Sequence, residues 1–123
     1  MDPNLRAFKI QIFAFMDELE SLFPNEKKLS SYKEIFTACY KVNPRKTCNT
    51  YWETVGPYKN EIINKNKSFF ENYNITDESE EAKDALYFRE IVSKSNLNED
   101  DLKPIWDYLA VLCVLSERVY NNS

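Results

Sequence analysis

A single glycine, Gly56, in a chain of 123 residues is the strongest constraint on what this sequence can fold into. Hairpins, phosphate-cradling loops and turn-rich β folds need positive φ at many positions, and glycine supplies it without steric cost. A chain with so little of it predicts helices joined by other punctuation. That punctuation is visible as Pro24–Asn25, Asn43–Pro44 and Gly56–Pro57. Asn25 and Asn43 read as N-caps, and Pro44 takes the first helical position, where its missing N–H is not needed.

Apolar spacing agrees. Leu5, Phe8, Ile12, Phe15, Leu19 and Leu22 recur at intervals of 3, 4, 3, 4 and 3. This is the seam of a helix packed lengthwise on others, and it predicts a first helix from about Asn4 to Leu22. Ile10, Phe13, Met16 and Phe23 lie off the seam, so this helix is either wedged between two neighbours or offers a second face to a partner. A second helix is expected from Asn25 through Val42, with Leu29, Tyr32, Ile35, Phe36, Cys39 and Tyr40 inward. A third turns Cys48, Trp52 and Val55 inward, and Pro57 either starts a short fourth segment through Ile62 and Ile63 or kinks the third. Phe69, Phe70 and Tyr73 mark a short helix pinned to the core. Asp77 and Glu80 resemble a capping box for a helix to about Lys94, with Ala82, Ala85, Leu86, Phe88, Ile91 and Val92 on its apolar side.

The last helix carries Leu102, Ile105, Trp106 and the run Leu109 to Leu115, which leave little polar face and place it at the centre of a bundle. Asp100 and Asp101 suit the positive end of its dipole, and Pro104 sets its start no earlier than about Asp100. The expected fold is all-α: a single compact bundle of five to six helices over residues 1–123, with a central, nearly all-apolar C-terminal helix.

With 43% hydrophobic and 29% charged residues, the chain has the balance of an ordinary soluble domain that can build its own core. The apolar run Leu109 to Leu115 is too short to cross a membrane, so no membrane insertion is expected. Arg6, Lys9, Asp17, Glu18 and Glu20 interrupt any apolar leader near the start. Cys39, Cys48 and Cys113 cannot all pair within one chain and read as buried free thiols of a reducing cytosol. Three N-glycosylation triplets, at Asn66, Asn74 and Asn121, are near the number expected by chance among thirteen Asn. The net charge of −4 is unevenly spread, zero over 1–42, +3 over 43–70 and −7 over 71–123. Such asymmetry either orients the molecule on a partner or a second copy, or is solvated surface.

Chemistry is sparse. With no His, no Gly-rich cradle and no nucleophile motif, no catalytic, cofactor-binding or metal-binding residue is expected. Asp77, Glu78, Glu80, Glu81 and Asp84 cluster where acidic residues serve capping and the helix dipole. Cys48 stands near Arg45 and Lys46, so it is either a thiol of lowered pKa or an ordinary core or surface thiol. Arg45, Lys46, Tyr51, Trp52, Tyr58 and Lys59 form a basic stretch interleaved with aromatics. Within it Arg45, Lys46, Tyr51 and Lys59 would carry nucleic-acid binding, although the cations are few and the chain is acidic. Aromatics make up 15% of the sequence, more than a bundle of this length must bury. Phe13, Met16, Phe23, Tyr51 and Tyr58 are the expected exposed members, suited to protein contact.

Four stretches carry a resemblance: FMDELESLFPNEKKL at Phe15 to Leu29, KVNPRK at Lys41 to Lys46, PYKNEI at Pro57 to Ile62, and IWDYLAVLCVLSERV at Ile105 to Val119. The chain resembles small helical proteins of nucleocytoplasmic large DNA viruses, of the mimivirus and algal-virus type. The resemblance implies a viral origin, in keeping with Phe, Tyr, Asn, Lys and Ile, all with AT-rich codons, at 49 positions. It also implies a place in the host cytoplasm, the viral factory or the virion. Together these readings point to a non-enzymatic structural or accessory protein that binds a viral or host protein or forms a homo-oligomer. The alternatives are nucleic-acid binding through residues 45–59 and modulation of host cell death or signalling through a helical groove.

Overall fold

The chain's computed structural model describes residues 2–66, 90–93, 95 and 97–122, and all regular structure among them is helical. The expectations placed on Phe69, Phe70, Tyr73 and Asp77 to Phe88 lie outside the described residues. Five helices are described from end to end, α1 (Pro3–Leu22), α2 (Lys27–Val42), α3 (Pro44–Val55), α4 (Lys59–Ile63) and α5 (Glu99–Asn121), and residues 90–93 are helical too. A 3-10 turn, Gly56–Tyr58, joins α3 to α4, so Pro57 opens a short fourth segment.

Helix α1 begins one residue before the expected start. The Asp2 side chain accepts the Asn4 N–H at 2.8 Å, and Pro3 occupies the first turn. Its seam is the predicted one, with Leu5, Phe8, Ile12, Phe15 and Leu19 buried and Leu22, at its end, half-buried. Phe15 stacks on Tyr108 of α5 with ring centroids 5.4 Å apart. On another side Phe13 meets Phe36 and Tyr40 of α2 edge-on, at 5.8 and 6.3 Å. The helix is thus wedged between two neighbours, and Ile10, 60% exposed, is left outside. The Tyr40 hydroxyl donates to the Leu5 carbonyl at 3.0 Å and ties α2 to the start of α1.

Helix α2 departs from expectation. Its N-cap is Glu26, which makes no side-chain cap bond, so Asn25 does not cap it. Of the six residues expected inward only Tyr40 is buried, and Ile35 and Cys39 are exposed. The reason is position: α2 lies on the flank of α1 and α3 and has no neighbour over its other side among the described residues. At the next junction the expectation holds. Asn43 Oδ1 accepts the Lys46 N–H at 3.1 Å, and Pro44 follows at the first helical position.

Helix α5 is the hub, packed against α1, α3 and α4. Asn98 caps it by accepting the Asp101 N–H at 2.8 Å, and Glu99, Asp100 and Asp101 fill its first turn. Pro104 sits inside the helix, in its second turn, and denies the Asp100 carbonyl its helical donor. Leu102, Ile105, Trp106, Leu109, Leu112, Cys113, Ser116 and Val119 are buried. The buried Ser116 hydroxyl is satisfied by the Cys113 carbonyl at 3.1 Å. Apolar all round, however, does not mean buried all round. Val111 and Val114 are 42% and 37% exposed, on the side opposite Leu109.

The lone glycine stands where φ is ordinary. Gly56 has φ −53, and a Cβ there would lie 2.8 to 3.0 Å from the Trp52 indole one turn earlier. It is needed for close approach, not for backbone freedom. The left-handed position is instead Lys65, φ 53, just after α4. Asn66 N–H bonds the Glu61 carbonyl at 2.8 Å and Lys65 N–H bonds Ile62 at 3.1 Å, the Schellman pair that glycine usually completes. Two substitutions should therefore act against the usual rule. Gly56→Ala, normally favourable in a right-handed helical conformation, should destabilise by about 1–3 kcal/mol through overpacking, with a smaller cost in a Trp52→Leu background. Lys65→Gly should stabilise by about 1 kcal/mol by relieving a Cβ clash. Denaturant unfolding of the variants checks both.

Candidate interaction surfaces

The five residues expected to be exposed contact residues are not exposed. Phe13, Met16, Phe23, Tyr51 and Tyr58 are half-buried and packed against the core. Phe13 is held by the α2 aromatics, and Tyr51 lies edge-on to Phe8 at 5.5 Å. The Tyr51 hydroxyl is shut off from solvent and meets no partner among the described residues. Phe13 is taken up because α1 packs on two sides, against α2 as well as α5.

The basic stretch is not gathered into one cationic face. Arg45 reaches Asp2 at 3.5 Å and the Val119 carbonyl at 3.5 Å, which ties α3 to both chain-distant helices. Lys59 pairs with Glu117 of α5 at 2.7 Å. Lys46 is exposed, Tyr51 has its hydroxyl inside, and Trp52 covers Gly56. The nearby shallow depression on α3, lined by Asn43, Arg45, Lys46, Asn49, Thr50 and Glu53, mixes a carboxylate with the cations.

The thiols separate into two kinds. Cys39 is exposed, which corrects the expectation that all three are buried, while Cys48 and Cys113 are buried. Burial pushes the Cys48 thiol up to about 12, against the pull of Arg45 and with a smaller push from Asp2. Of the two readings of Cys48, the core thiol holds and the lowered thiol does not: desolvation outweighs a guanidinium that Asp2 already engages. Burial likewise pushes Cys113 up to about 11, against Lys59. Burial also raises the Tyr40 and Tyr51 phenols.

What the surface does offer is an apolar stripe on α2. Ile35, Ala38, Cys39 and Val42 follow one another at helical spacing and are all exposed, Ile35 at 56% and Val42 at 86%. The sequence carries two apolar lines along this helix, the Leu29–Tyr32–Phe36–Tyr40 line and this one. The usable signal was that the first line holds the aromatics that complement Phe13. Beside the stripe, a polar depression of about 550 Å³ is lined by Glu20, Ser30, Lys33, Glu34, Thr37, Ala38 and Lys41. Lys33 bridges there to Asp17 and Glu20 of α1. Among the described residues no three His, Cys, Asp or Glu side chains converge as metal ligands, and no helix is long and apolar enough to cross a membrane.

No protein-family model, curated protein or solved structure matches the chain.

The raised groups set a pH dependence. A thiol that holds its proton more tightly when folded stabilises the fold fully below its unfolded value of 9.0, and that contribution drains away as pH climbs toward 11 and 12. Unfolding midpoints should therefore fall steadily above about pH 9. The fall should be shallower in Cys48→Ala than in Cys39→Ala, whose thiol is exposed; equal slopes would contradict the assignment.

Proposed function

We propose that this chain is a non-enzymatic structural or accessory protein of a large DNA virus that works by protein–protein contact, in the infected cell or the virion. The observation that supports contact is the α2 stripe, where Ile35 and Val42 stand 56% and 86% exposed on one helix face beside Ala38 and Cys39. Exposed apolar residues scattered singly need no explanation, but a contiguous row at helical spacing is the form that a helix-docking site takes. The viral setting rests on the sequence resemblance, and a viral or host protein is the partner it implies. Nucleic-acid binding is less favoured because Arg45 and Lys59 are engaged by Asp2 and Glu117.

The test uses Cys39 as the attachment point for a thiol-linked benzophenone, since Cys48 and Cys113 are buried. On irradiation in lysate of infected cells, the protein should give a discrete cross-linked adduct. Ile35→Glu and Val42→Glu should each abolish it, and Lys103→Glu, on α5, should leave it unchanged. Adducts of equal yield in all these proteins would refute the stripe as the contact surface.

A further inference from the structure

The outer side of α5 carries a second seam. Asp107, Val111, Val114 and Arg118 follow at intervals of 4, 3 and 4, all four are exposed, and they lie opposite the buried line through Leu109. No ion pair or side-chain hydrogen bond among the described residues engages Asp107 or Arg118. The order of the four is what singles them out. Asp107 and Arg118 are equidistant from a point between Leu112 and Cys113, and so are Val111 and Val114. Ala110 and Leu115, half-buried on the two flanks, share the same midpoint.

We infer that this seam is a self-complementary surface on which a second copy of the chain docks, with the two α5 helices antiparallel about a two-fold axis at that midpoint. In an isologous pair each residue meets the one equidistant on the other side of the axis. Val111 then faces the partner's Val114, and Asp107 faces the partner's Arg118, each twice. A parallel pairing would set Asp107 against Asp107 and Arg118 against Arg118. Charge complementarity thus selects both the occupant and its direction, against the general repulsion of two chains that each carry −4. One helix on one helix is a small interface, at or below the ~1,200 Å² that marks the weak end of specific pairs. The association is accordingly weak and reversible. It uses a face distinct from the α2 stripe and does not rest on the function proposed above.

Sedimentation velocity of the full chain over a concentration series from micromolar to millimolar is the measurement. Wild type should shift from monomer to dimer as concentration rises. Asp107→Arg alone puts Arg opposite Arg twice, and Arg118→Asp alone puts Asp opposite Asp twice, so each should stay monomeric throughout. Both positions are exposed, and circular dichroism should confirm that the variants keep their helices. An equimolar mixture of the two variants restores both opposite-charge pairs and should recover the dimer as a heterodimer. A wild type that is monomeric at every concentration, a single variant that dimerises like wild type, or a mixture that stays monomeric would each overturn the inference.

Discussion

The packing of α1 along α5 is the contact on which the other elements rest. Phe8 on one helix and Ile105 and Leu112 on the other have no accessible surface, and the two seams run the length of both helices. Each such side chain contributes about 1.5–3 kcal/mol on burial, so a seam of this length outweighs any single cap or ion pair in the molecule. The remaining helices take their places from it. Helix α2 is fixed on α1 by Phe13 and by the Tyr40 bond to Leu5. Helix α3 adds Arg45, which spans from Asp2 to Val119 and so reaches both members of the central pair. Helix α4 buries Ile62 and lays Lys59 on Glu117.

The α1 seam was legible in the sequence because a strict apolar interval on one helix needs no knowledge of its neighbours. The Asn43–Pro44 start and the acidic entry to α5 were legible for the same reason, since caps are local. Asn25 is a local failure, since Glu26 takes the N-cap position of α2; for the faces of α2 and α5 the missing fact was which neighbour lies where. Two apolar lines run along α2, and only the position of Phe13 decides that the aromatic one faces in and that Ile35, Cys39 and Val42 face out. The apolar composition of α5 concealed its open side, although Asp107 and Arg118 mark that side in the sequence. Cys48 was read better: its inward place on α3 pointed to a core thiol, and burial, with Asp2 engaging Arg45, outweighs the two cations close to it in sequence.

The scarcity of glycine was a sound guide to fold class and a poor guide to local geometry. Helices joined by Asn and Pro are what the chain forms among its described residues. Yet Gly56 relieves a contact with an indole, while Lys65 accepts the left-handed turn that closes α4. A side chain can occupy that conformation where two hydrogen bonds hold it there, and the cost is local and modest. Residue type at a turn therefore reports what the turn tolerates as well as what it prefers.

The pairing of α1 with α5 also sets a timetable. During synthesis the α1 seam emerges from the ribosome long before its counterpart exists, and α2 and α3 can shield only part of it. The five large apolar side chains of that seam, Leu5, Phe8, Ile12, Phe15 and Leu19, are not all out of water until α5 is translated and packs along α1. Folding of this core is therefore completed only once α5 has been made, and a nascent chain stalled ahead of α5 is sticky, a natural client for chaperones that hold exposed apolar helices.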